Sequence, residues 1–334
     1  MYRTLKKLLP DRPSLSGDES GIAVRIADLM RPLCDEVRTD ALGNLICLKK
    51  GIAAAPRRVM LTAHMDEIGF LVSFIEENGY LRVAPIGGVD CTAAAYSEVV
   101  FANGVRGVLV PAADAPEKTP PKAADLVVDI GVNSRRAAQA KVAVGDALAL
   151  PATLRKLSGK RVTGRPLDNR IGCAVLLRVA ELLSAPADDI YYVFTVQEEV
   201  GCRGAAPAAF DIAPDVALNF DVTATGDEQG AKPMAVSLGA GVAVKIKDAS
   251  VICHRSLVEE LLTLARREHI PVQCEILPFG GTDTSAVQMS RGGCRACALS
   301  LPCRYIHTGV ETADLGDAEA AVALTLAFLG GKKQ

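Results

Sequence analysis

Two hydrophobic periodicities divide the chain. Ile22, Ile26, Leu29 and Met30 share one helical face behind Asp18 and Ser20, which predicts a helix over residues 22–30. Residues 37–40 and 44–48 predict paired strands around a turn at Leu42-Gly43, and 58–63 predict a further strand. From Ile68 to Leu150 the pattern shortens into segments at 70–75, 80–83, 99–101, 105–110, 126–130 and 147–150. Asn78-Gly79 and Asn103-Gly104 are hairpin signals between them. This texture predicts a small β-barrel or sandwich inserted into the first domain. Its segment 111–124, rich in Pro, Ala and Lys, reads as a mobile loop. Beyond Gly164 longer elements return: a helix over 174–183, strands over 190–196 and 216–220, then helices over 257–268 and 317–329. Alternation of this kind predicts an α/β fold, a sheet with helices on both faces.

Chemistry collects where the strand-like runs stop. His64 closes the run 57–63, Glu198-Glu199 close 190–196, and Asp221 closes 216–220. His307 follows 298–301 after a short link, and Asp168 stands just before a helical pattern that starts near Gly172. In open α/β sheets the carboxyl ends of strands form the ligand crevice. Two imidazoles and several carboxylates converging there predict a divalent metal site, and a paired one, which points to a metallohydrolase.

Composition narrows the partners. The 334 residues are 49% hydrophobic and 23% charged, an ordinary balance for a globular protein with a sizeable core. A formal net charge of -2 without a basic cluster argues against nucleic-acid binding. No apolar run approaches a membrane span, and the basic amino terminus has too short an apolar stretch for a signal peptide, so a cytoplasmic protein is expected. The ten cysteines are spread along the chain, which suits reduced thiols better than a disulfide framework. Cys294, Cys297 and Cys303 flank an apolar strand pattern with no second C-x-x-C, and read as buried small hydrophobes.

Six segments in sequence order now carry a resemblance. They are His64-Met65-Asp66-Glu67, Leu167-Asp168-Asn169-Arg170, Gln197-Glu198-Glu199-Val200-Gly201, Phe220-Asp221-Val222-Thr223, Gly280-Gly281-Thr282-Asp283 and Arg304-Tyr305-Ile306-His307. Together they resemble the tetrahedral and glutamyl aminopeptidases, the M42 family of dinuclear metallo-aminopeptidases. The resemblance implies an aminopeptidase-type mixed sheet with a parallel centre, over 1–67 and 151–334, and an inserted all-β dimerisation domain over 68–150. It also implies two divalent ions per subunit, zinc or cobalt. Asp168 would bridge them, His64 and Asp221 would complete one site, and Glu199 and His307 the other. Glu198 would be the general base and Asp66 the partner that orients His64. The physical reasons are plain: two close cations need an anion between them, and a ligating imidazole needs an acceptor on its second nitrogen. The implied substrates are short or unfolded peptides, and the implied assembly is a homodimer building to a homododecamer.

Other readings carry less. His254 and His269 lack a matching carboxylate motif and read as structural. Asp283 reads as the cap of a helix beginning near Thr284, and Asn169 and Arg170 as supports for the Asp168 turn. Gly239 and Gly241 lack the spacing of a dinucleotide fingerprint. Glycoside hydrolysis is the rival chemistry, since Glu198 and a second carboxylate could act as acid and base, and members of this family have carried a cellulase label. Against it, the chain has no Trp and 4% aromatic residues, whereas sugar clefts stack their ligands on aromatic faces. A related dinuclear carboxypeptidase or deacylase would use similar ligands, and a peptide-holding assembly protein would have no need of Glu198. The pocket for the substrate's terminal side chain is built from loops that the sequence does not place.

Overall fold

The computed structural model describes residues 1–9, 12–113, 115, 116 and 119–330. Three strands come first: β1 (Glu36–Thr39), β2 (Leu45–Lys49) and β3 (Arg58–His64). The next six are β4 (Gly69–Ile75), β5 (Leu81–Ile86), β6 (Ser97–Phe101), β7 (Arg106–Pro111), β8 (Leu126–Asp129) and β9 (Ala147–Ala149). They close into a barrel in the order β4-β5-β8-β7-β6-β9, around Phe70, Val99, Phe101, Leu109 and Leu148. Three residues of the loop expected to be mobile (Asp114, Glu117 and Lys118) lie outside the described residues.

The remaining strands are β10 (Thr153–Lys156), β11 (Arg161–Arg165), β12 (Asp189–Thr195), β13 (Val216–Thr223), β14 (Val242–Lys247), β15 (Val272–Ile276), β16 (Arg295–Arg304) and β17 (Glu311–Asp314). With β1–β3 they form a second sheet, ordered β1-β2-β12-β3-β13-β16-β17-β11-β10, with β14 and β15 branching from β16. Its centre, β12-β3-β13-β16, is parallel, and β2, β14 and β17 pair antiparallel at its flanks. This is the mixed α/β sheet with an inserted all-β unit that the sequence predicts.

Strand alternation explains why both faces are covered. Successive side chains of a strand point to opposite faces. Val59, Leu61 and Ala63 of β3, with Val216, Leu218 and Phe220 of β13, join one core beneath the helix Leu167–Leu182. Met60 and Ala217, the residues between, join a smaller core with the helix Ala205–Ile212. Gly172 lets the first helix approach β13, because a Cβ there would lie 2.9 Å from the Phe220 carbonyl oxygen. Leu218 is fully buried in the larger core. Leu218→Ala is expected to cost about 2–5 kcal/mol, read as a lower urea midpoint. A midpoint shift near zero would mean that the core there collapses around the loss.

Two boundaries differ from expectation. β13 continues to Thr223, so Asp221 stands inside the strand rather than at its close. The helix expected from 174 begins at Leu167, with Asp168 and Asn169 in non-helical backbone within its first turn.

Candidate metal centre

Four parallel strands deliver their carboxyl ends to one crevice. His64 ends β3, Glu198 and Glu199 follow β12, Asp221 lies in the last turn of pleat of β13, and His307 follows β16. Register aligns two of them. Thr62 of β3 is paired with Asn219 of β13, so two residues further on His64 and Asp221 emerge from the same face. Asp168 enters from the amino end of its helix. All five residues assigned to metal in the sequence, and Glu198 beside them, line one cavity.

The donor atoms interlock. His64 Nε2 lies 3.1 Å from Asp168 Oδ1 and 3.5 Å from Asp221 Oδ1. His307 Nε2 lies 3.3 Å from Asp168 Oδ2 and 3.1 Å from Glu199 Oε2. Ligand atoms of His64, Asp168 and Glu199 all fall within 4.8 Å of one another. Two donors of a tetrahedral zinc ion at ~2.0–2.1 Å stand about 3.3–3.4 Å apart, which is the spacing found here. Imidazole nitrogens with carboxylate oxygens are also a donor set suited to zinc and its neighbours. The residues therefore fit bound divalent metal.

Charge leads to the same conclusion. Asp168, Glu198, Glu199 and Asp221 crowd into a buried site, and the two imidazoles are drawn positive to offset them. Burial alone would lower the His64 pKa, but Asp221, Asp168 and Asp66 hold it well above the ordinary value. His307 likewise rises against its burial, to about 11, through Asp168 and Glu199. Burial would raise Asp168, yet hydrogen bonds from both imidazoles hold it below the usual carboxylate range. Burial pushes Glu198 well above that range, and His64 offsets only part of the shift. Glu199 and Asp221 are raised mainly by burial too. Such a cluster is short of positive charge, which bound cations supply.

A supporting layer fixes these groups. His64 Nδ1 faces both the Asp66 carbonyl oxygen at 3.2 Å and its carboxylate at 3.4 Å. The fully buried Asp66 carboxylate also accepts the backbone N–H of Glu198 (3.1 Å) and of Glu199 (3.2 Å), and the Ser16 hydroxyl (2.7 Å). One side chain thus ties the β3 end to the β12 end. Asn169 donates to the Phe220 carbonyl oxygen and accepts from the Gly172 N–H, while Arg170 donates to the Met65 carbonyl oxygen and Ser14. Both support the Asp168 turn, as expected.

Three contributors escape sequence reasoning. Glu311 accepts the N–H of Leu167 (2.6 Å) and of Asp168 (3.0 Å) on one oxygen, and that of His307 (3.2 Å) on the other. Burial, with Asp168 next, pushes its pKa up to about 8. The Gly88 carbonyl oxygen lies 2.9 Å from His307 Nδ1, and Ser16 anchors Asp66. These contacts join distant backbone groups and short polar side chains, for which sequence carries no periodic signal.

One expectation needs correction. Asp283 does not cap its helix: the helix is Asp283–Gln288, its N-cap is Thr282, and no side chain caps it. The fully buried Asp283 carboxyl instead accepts the Thr195 hydroxyl at 2.5 Å and sits with Glu198 and Cys202 as a second cluster. Burial raises its pKa to about 7. Cys202 Sγ lies 3.3 Å from Glu198 Oε1. Of the three cysteines expected to be buried, Cys294 is only partly so. All ten are free thiols, and Cys297 and Cys303 are buried in the large core. His254 and His269 stand apart from either cluster.

Comparison with known proteins identifies the family. The family model described as M42 glutamyl aminopeptidase matches residues 43–324. A protein of Acetivibrio thermocellus named as an aminopeptidase is 41% identical over 324 residues, covering 97% of each chain. The solved structure of an aminopeptidase from the archaeon Desulfurococcus kamchatkensis superposes with a TM-score of 0.93 at 35% identity, covering 98% of this chain and 94% of that one. The TET1 peptidase of Pyrococcus horikoshii, described as assembling into a tetrahedron or a large octahedral shell, gives 0.87 at 32% identity over 98% of both chains. With the strand-end cluster and a family match across most of its length, this chain belongs to the M42 aminopeptidases and is a peptide hydrolase.

Proposed function

We propose that His64, Asp168, Glu199, Asp221 and His307 hold two divalent ions, zinc or cobalt, and that the enzyme removes amino-terminal residues from short or unfolded peptides. The observation that supports this best is Asp168, whose two oxygens each meet a different imidazole, at 3.1 and 3.3 Å. A carboxylate so divided is what a shared anion between two cations requires. When bound, the ions would polarise the scissile carbonyl and make water acidic enough to be activated near neutral pH.

The protein's own groups do the rest. Glu198 takes the proton of the attacking water and returns it to the leaving amine, a transfer its buried, proton-retaining carboxyl suits. Asp66 orients His64 and holds the Glu198-Glu199 peptide against it, so base and ligand keep their spacing. The carboxylates at the closed end of the crevice favour a cationic α-amino group. Exhaustive chelation should abolish turnover of free-amino peptides, with recovery on adding zinc or cobalt. Acetylated peptides should resist cleavage throughout, and comparable turnover of both would move the enzyme to the deacylase or endopeptidase class.

Metal uptake should also release protons. The pKa values of His64 and His307 are both raised, so the metal-free protein keeps their protons at pH 7 and must lose them to ligate. Affinity should therefore weaken as pH falls. Calorimetric zinc titrations in buffers of different ionisation enthalpy measure the release, and equal heats in both would contradict it.

We also infer that residues 68–150 join subunits into a dimer that builds to a dodecamer. Phe74 and Val108 stand about half exposed on barrel strands and Tyr96 beside them is more exposed still, and assembly would cover such apolar surface. The P. horikoshii relative is described as assembling into a tetrahedron or a large octahedral shell. Light scattering tests this, and a monomer at every concentration and metal load would exclude it. Among the described residues no helix is long and apolar enough to cross a membrane.

A further inference from the structure

The cavity at the centre encloses about 580 Å³, within the roughly 300–1,000 Å³ typical of small-ligand sites. Its two sides differ in chemistry. One side is the cluster just described. The other is built from Ala224, Leu277, Phe279, Gly280, Gly281 and Ile306, without a charged side chain among them. Among the described residues no Lys or Arg lines the cavity.

Two basic groups of adjoining strands, Lys245 and Arg304, are already committed, and Lys247 at the end of β14 does not line the cavity. Lys245 of β14 is fully buried against Glu275 at 2.5 Å and Asp248 at 3.4 Å. Thr223, which lines the cavity, donates its hydroxyl to that same Glu275 at 2.8 Å. Arg304, at the end of β16, is bonded to Asp227. Outside the metal cluster, an acidic side chain entering here would find no Lys or Arg, and a basic one no carboxylate, among the residues that line the cavity. A charged group that loses its hydration without a partner is strongly disfavoured, whereas apolar area gains from the same burial.

We infer that the wall of Ala224, Leu277, Phe279 and Ile306 receives the substrate's first side chain, and that this enzyme prefers peptides beginning with an apolar residue of the leucine, methionine or phenylalanine class. The inference rests on reading the site as an aminopeptidase centre, and deepens it.

The test is a panel of leucyl, methionyl, phenylalanyl, glutamyl and lysyl anilides with the zinc-loaded enzyme. The apolar members should exceed the charged ones in kcat/KM by roughly 10–200-fold. Free leucine should inhibit competitively and free glutamate should not. Phe279 is half exposed at the cavity rim, so it tolerates exchange without loss of the core. Phe279→Lys should raise the glutamyl-to-leucyl ratio about tenfold, and Phe279→Glu the lysyl-to-leucyl ratio similarly. A glutamyl or lysyl substrate turned over fastest would overturn this inference and leave the aminopeptidase centre standing. Ratios unmoved in both Phe279 variants would overturn it as well. No cleavage of any free-amino substrate would instead overturn the reading beneath it.

Discussion

Glu198→Gln is expected to lower kcat by about 10²–10⁴ while metal content and fold stay those of the parent. Glutamine keeps the size of the side chain and its neighbour Cys202, which lies 3.3 Å from Oε1, but it cannot accept and return a proton. Because the amide is neutral, it also relieves a crowded carboxylate cluster, so stability should not fall. Steady-state kinetics with elemental analysis separates the effects. A variant that retained parental kcat would remove Glu198 from the chemistry.

Asp168→Asn should fail in a different way. Asp168 contacts both imidazoles and is held in place by the Glu311 clamp on its own N–H and that of Leu167. An asparagine fits the space but offers one oxygen and no charge, so the two halves of the cluster lose their common ligand. Removing a group that merely supports a ligand costs roughly 10–100-fold in metal affinity, and losing the shared ligand should exceed that. The purified variant should hold less than its full metal complement and be inactive. Equal metal loss in Glu198→Gln and Asp168→Asn would mean that the roles of base and bridge are wrongly divided.

The contrast between these residues also shows how far sequence reasoning reaches. His64, Glu199, Asp221 and His307 are legible because each stands at or near the end of an apolar run, and parallel strands bring such ends together. The core faces are legible for the same reason, from the period of two in β3 and β13. Glu311 is not legible, because its partners are backbone N–H groups 143 and 144 positions back. Asp283 misleads, because an acid at a helix start suggests a cap, and only the packing of that helix against β16 and β13 turns the carboxyl to Thr195. The apolar wall of the pocket is drawn from three separate stretches (224, 277–281 and 306) that no local pattern unites.

The pocket also weighs against glycoside hydrolysis. Phe279 is the one aromatic residue among those lining it, which is little for stacking a sugar chain. That chemistry would also leave His64 and His307 without work, although each is anchored on its second nitrogen, one by Asp66 and one by Gly88. Anchoring of that kind is what an imidazole ligand needs.

The most direct test of the account is a metal titration of protein stripped by exhaustive chelation, with zinc content by mass spectrometry and turnover of a free-amino peptide followed together. The account predicts no turnover in the stripped protein, uptake of two ions per chain, and activity returning as they bind. Parental turnover by protein free of metal would contradict it.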